Sequence, residues 1–164
     1  DKNPQYTADL EKAISYFDND AAVNVAKEIG KFYHAKKQWV KATKYYEQAL
    51  KNGSGDDIET NLLLLQTYTE TKQFELVAKK ASAMVDTFPT QPQFYYYSGM
   101  ANNQLQQFKK AKDMLEMGLD YLVEDRALEI NFNIQLGEAY NGLGDFKKKE
   151  MYFSKANQLL KEKK

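Results

Sequence analysis

The chain has 164 residues, enough for one sizeable core or for a short repeat array. Lys plus Arg and Asp plus Glu number 23 each, so the formal net charge is zero, and Arg126 is the only arginine; this argues against the basic excess and bidentate guanidinium reading that nucleic-acid binders use. With no cysteine there is no disulfide, thiol nucleophile or zinc–thiolate site, and no apolar run reaches the roughly 18 residues that would span a membrane.

Long stretches rich in Lys, Glu, Gln, Leu and Ala, broken by only three prolines, are helical composition, and strand-like alternation is sustained nowhere. Residues 1–22 read as an N-terminal helix with Tyr6, Leu10, Ala13, Ile14 and Phe17 as its apolar stripe, either a half-repeat or a cap. Residues 23–56 read as a helix pair. Its first helix carries Ala26, Ile29, Gly30 and Tyr33 on one face, and its second carries Trp39, Ala42, Tyr46, Ala49 and Leu50. Small residues let the two helices approach closely, and Gly53 and Gly55 then break the chain.

The same pattern returns over 58–91, 92–125 and 130–163. Trp39, Phe74, Phe108 and Phe146 open the second helices at spacings of 35, 34 and 38 residues. Nine residues before each stand Gly30, Leu65, Gly99 and Gly137; six before stand Tyr33, Tyr68, Asn102 and Tyr140; ten after stand Ala49, Met84, Gly118 and Ala156. A hairpin of this kind cannot bury its apolar faces alone and must stack on neighbours. The segment "MYFSKANQLLKEKK" finishes on a second helix. Met151, Tyr152 and Leu159 there call for cover from the Lys-rich tail, another domain or another protomer.

These residues resemble the tetratricopeptide repeat, best in "IGKFY…W…A…Y…A" of the first unit and "LGEAYNGLGDF…F…A" of the fourth, with Pro89 on the motif's late proline. The departures are Val77 and Lys149 in place of an alanine, Asn102 in place of the tyrosine, and four extra residues between the third and fourth units. The resemblance implies an all-α, right-handed superhelical array of antiparallel helix hairpins, an α-solenoid of four repeats preceded by an N-terminal helix. It implies a non-catalytic protein–protein interaction scaffold whose first helices line a concave groove.

Projected onto that groove, the candidate partner-binding residues are Lys27, Lys31, His34, Leu62, Gln66, Tyr96, Met100, Asn103, Asn131, Ile134, Gln135 and Glu138. Of the aromatic run Phe94–Tyr97, Tyr96 is the ring left facing outward. Tyr96, Met100, Leu62 and Ile134 would anchor an extended peptide or a helix, while Asn103, Gln66, Gln135 and Asn131 would orient its backbone. Lys27 and Lys31 would favour an acidic end. The clamp by which some family members grip a chaperone's C-terminal carboxylate is not matched. Only Lys27 fits it, and Lys31, Leu63, Gln93 and Tyr97 stand where its other residues belong.

Catalysis is not expected, nor any cofactor or metal. His34 is the single histidine; "KNGSGDD" lacks a phosphate loop's spacing; Asp56–Asp57 and Glu124–Asp125 suit helix N-termini. The alternative to groove recognition is self-assembly as a homo-oligomer through the uncovered hairpin; RNA binding is disfavoured by the charge balance. Lys, Asn and Tyr enrichment with a non-Met start leans toward a bacterial protein of the periplasm or cell envelope.

Overall fold

The computed structural model describes residues 4–13 and 19–161, and those residues form nine α-helices without a strand. They divide into two compact units, 1–72 and 73–164. The first unit holds α1 (Pro4–Ala13), α2 (Asn19–Ala35), α3 (Trp39–Asn52) and α4 (Ile58–Glu70). The second holds α5 (Phe74–Thr87), α6 (Pro92–Gln104), α7 (Phe108–Leu119), α8 (Arg126–Gly142) and α9 (Phe146–Lys161). Of the apolar stripe expected of the N-terminal helix, Tyr6, Leu10 and Ala13 fall on α1 with side chains outside what the structure describes, and Ile14 and Phe17 lie outside the described residues.

Within the first unit α2 packs on α3, and within the second α6 packs on α7 and α8 on α9. Ala26, Ile29 and Tyr33 of α2 are buried against Ala42, Tyr46 and Ala49 of α3, while Trp39 and Leu50 stay half-buried. Close approach needs glycine: a Cβ on Gly30 would lie 2.5 Å from the Tyr46 ring, and one on Gly99 2.3 Å from Leu115 Cγ. Both partners are fully buried and have nowhere to go.

Each hairpin turn uses the same device. Lys37 (φ 56°), Lys72 (φ 58°), Gln106 (φ 57°) and Gly144 (φ 76°) are left-handed, although only the last is glycine. In the turns of α2–α3, α6–α7 and α8–α9 the amide of the left-handed residue and the one after it fold back on the first helix, as in Gln106 N–H to Asn103 O (2.9 Å) and Gln107 N–H to Asn102 O (2.8 Å). This is a Schellman closure, which satisfies carbonyls that a helix end leaves open.

Helix starts explain two shifted boundaries. The helix expected from 23 begins at Asn19, and the one expected from 130 begins at Arg126. Asp125 caps α8 by accepting from Leu128 N–H (2.9 Å), so the four extra residues extend that helix and its approach. Asp57 caps α4 in the same way through Thr60 N–H (2.8 Å).

Successive hairpins are tied by phenol-to-carboxylate bonds. Tyr33 of α2 donates to Glu11 of α1 (2.9 Å), joined there by Tyr45 (2.7 Å); Tyr68 of α4 donates to Glu47 of α3, and Tyr140 of α8 to Glu116 of α7. The Tyr33 ring stacks on Tyr45 and the Tyr140 ring on Tyr152, with the ammoniums of Lys41 and Lys148 over the two outer tyrosines at 4.8 and 4.7 Å. Bonds to an ionised acceptor are stronger than neutral ones. The two tyrosine bonds hold the Glu11 carboxyl below its ordinary value, that from Tyr45 contributing most.

Candidate functional site

In the first unit Lys27 and Lys31, expected to favour an acidic end of a partner, are both paired with carboxylates of the chain itself. Lys27 Nζ lies 3.1 Å from the Asp57 carboxylate and 3.9 Å from Glu59; Lys31 Nζ lies 2.7 Å from Glu59 and 3.7 Å from Glu28. The cause is local: capping fixes Asp57 at the start of α4, and Glu59 follows within the first turn, where the helix dipole favours negative charge. Burial alone would raise the Asp57 carboxyl, but bonds from Thr60 and Lys27 outweigh it and hold it low. The Glu59 bond raises the Lys31 ammonium.

His34 is half-buried rather than presented to a ligand. Its ring meets Trp39 edge-on (5.1 Å, 84°) and Tyr46 at 6.1 Å, and Nδ1 lies 3.3 Å from Thr67 Oγ1. Since Thr67 spends its one proton on Leu63 O (2.7 Å), the Nδ1–H form of the imidazole is the one that fits. Leu62 is half-buried and Gln66 exposed.

In the second unit the face shared by α6 and α8 gathers most of the remaining candidates. Phe94 and Tyr95 are core, 0% and 2% exposed, with Tyr95 donating to Pro89 O (2.8 Å). Tyr96 is half-buried, edge-on to Phe132 of α8 (5.8 Å, 67°) and to Tyr97 (5.5 Å, 67°). Burial raises its phenol above the ordinary value. Ile134 is half-buried, and Asn131 and Glu138 are exposed.

Met100 and Asn103 depart from expectation, being only 7% exposed each. α5, α7 and α8 all pack on α6 and close these two positions off. Asn103 Nδ2 donates to the main-chain oxygen of Gln135 (2.8 Å) and to its Oε1 (3.0 Å), so these two amides orient each other. Asn103 Oδ1 is buried without a donor among the described residues.

Sequence reasoning missed an open cleft of about 410 Å³ between α5, α6 and α7, lined among others by Ser82, Ser98, Asn102, Lys110 and Met114. The signal was Asn102 itself, the one departure from an otherwise regular tyrosine. Among the described residues no group of His, Cys, Asp and Glu could hold a metal ion, and no helix is long and apolar enough to cross a membrane.

Antiparallel hairpins in this register, closed by glycine contacts and left-handed turns, give the chain a tetratricopeptide-like α-helical repeat fold. Solved structures with this fold include MamA from MSR-1 (22% identity, TM-score 0.73, over 94% of this chain and 84% of that one). BtubC from P. vanneervenii matches at 20% identity and TM-score 0.78, over 95% and 72% of the two chains. A MamA RS-1 double mutant matches at 18% identity and TM-score 0.80, over 95% and 84%. Similarity at this level establishes the fold. No family model matches the chain, and no curated protein matches it in sequence.

Proposed function

We propose that the chain is a non-catalytic protein–protein interaction scaffold that receives a peptide or helical segment on the α6–α8 face of residues 73–164. The observation that carries this reading is the half-buried Tyr96 ring, edge-on to Phe132 of α8, the helix that also carries the half-buried Ile134. Two apolar anchors beside exposed Asn131 and Glu138 suit a partner that buries apolar side chains and bonds its backbone to the rim.

The test is a paired pull-down from host lysate, with the chain and a Tyr96→Ala/Ile134→Ser variant as baits of matched helicity and mass. Met100 is left unsubstituted because truncating it would disturb the core. A protein held by the first and released by the second supports the α6–α8 face; equal retention rules that face out.

Self-assembly is the second reading, and α9 favours it. Phe146 and Leu160 are each 63% exposed, while Phe153, seven residues from both, is seated against Gly137 of α8. Of the residues expected to need cover, Met151 is 48% exposed. Tyr152 is instead stacked on Tyr140, and Leu159 accepts a bond from Arg126 through its main-chain oxygen.

A further inference from the structure

Three hairpin junctions in this protein are filled by a tyrosine that the fourth lacks. At the others Tyr33, Tyr68 and Tyr140 reach from a first helix to Glu11, Glu47 and Glu116 on the helix before. At the α5–α6 junction the matching residues are Asn102 and Ser82, and Met114 stands where Tyr45 and Tyr152 supply the stacking ring. The ring and its carboxylate are both replaced by smaller groups, and the 410 Å³ cleft occupies their place. That volume falls within the roughly 300–1,000 Å³ of small-ligand sites.

Other parts of the tyrosine site are kept. Lys110 matches Lys41 and Lys148, whose ammoniums sit over tyrosine rings at 4.8 and 4.7 Å, yet here Nζ turns to Gln107 Oε1 (2.9 Å). Ser82 and Ser98 share one hydrogen bond (3.1 Å), which leaves a hydroxyl proton and several lone pairs for a phenol. Asn102 is fixed by its own bond to Ser98 O (2.8 Å). The Met114 thioether offers a soft contact for a ring edge.

We propose that this cleft is a docking site for a tyrosine side chain of a partner protein, which enters where the protein's own tyrosine is missing. The ring lies between Met114 and the Lys110 ammonium, and the phenol O–H bonds to the Ser82–Ser98 pair. The site is lined by α5–α7 and does not depend on the α6–α8 face, so it stands or falls separately from the groove reading.

The test is titration of N-acetyl-tyrosine amide into the isotopically labelled full chain, followed by amide chemical shifts, with the phenylalanine and leucine amides as controls. Saturable shifts at Ser82, Ser98, Asn102 and Lys110 are expected, with dissociation on the order of 1 mM for so small a probe. Phenylalanine amide should bind several-fold more weakly, and leucine amide more weakly still. Asn102→Tyr should fill the cleft from within and remove the shifts; Lys110→Ala, an exposed change that spares the fold, should weaken binding several-fold. Val123→Ala, an exposed change outside the cleft, should leave the titration unchanged. Absence of saturable shifts at these residues, equal binding of the leucine amide, or an unaltered titration in both cleft variants would overturn the proposal.

Discussion

Tyr46 is fully buried, yet its hydroxyl has no hydrogen-bond partner among the described residues. Its ring fills the space opposite Gly30, and burial pushes the phenol's pKa far up, so the group contributes packing and a desolvation cost. Tyr46→Phe should therefore stabilise the chain by about 1 kcal/mol, read as a raised urea midpoint at unchanged slope. His34 makes the complementary case. Burial depresses its pKa below the ordinary 6.5, while Glu70 opposes the shift. The unfolded chain then takes up a proton more readily than the folded one. Stability is complete above pH 6.5, declines as pH falls below it, and levels off beneath the folded value. His34→Gln should remove that slope in a series of denaturant midpoints taken across this range. Neither effect was legible in the sequence, where Tyr46 was one aromatic of a stripe and His34 a groove residue. Both depend on what a neighbouring helix places around the side chain.

At the scale of the helix, the hairpins were legible because aromatic, glycine and alanine positions recur in phase, and stacking obliges such residues to meet. The turns were not. Of the four left-handed positions in these turns, three hold Lys or Gln, which carry no turn signal, and only Gly144 announces itself. A left-handed L-residue costs roughly 1–2 kcal/mol, partly offset by the greater freedom glycine has in the unfolded chain. Lys37→Gly and Gln106→Gly should each stabilise by about 0.5–1 kcal/mol, and Gly144→Ala should destabilise by about 1 kcal/mol. Nothing lies within 4 Å of a Cβ built on Gly144, so thermal unfolding of that variant would measure backbone strain without a steric term. The groove projection failed on the same helix scale. Its assignment of Met100 and Asn103 gave way because α5, α7 and α8 all pack on α6 and bury them.

For the whole molecule, zero formal charge and a pI of about 6.8 remove the long-range repulsion that keeps many proteins apart. Non-specific association should peak near that pH and fade as the pH is raised, as light scattering would follow. Association through the exposed Phe146 and Leu160 of α9 should instead persist at alkaline pH and vanish in Phe146→Lys/Leu160→Lys. An oligomer that survives this double change would exclude α9 as its seam. This pair was legible in sequence only in part, since Phe146, Phe153 and Leu160 recur every seven residues and nothing in that spacing tells that Phe153 is seated against Gly137.

The chain has one tryptophan, and the fold seats it edge-on to its one histidine. An imidazolium quenches indole emission by accepting an electron from the excited ring, whereas neutral imidazole does so far less. Trp39 fluorescence should therefore titrate with His34, giving an optical reading of that proton from within α2–α3. The remaining aromatics are tyrosine and phenylalanine, so residues 73–164 are silent under selective indole excitation. Every change in that signal comes from the first unit, which lets local events there be timed without any added label.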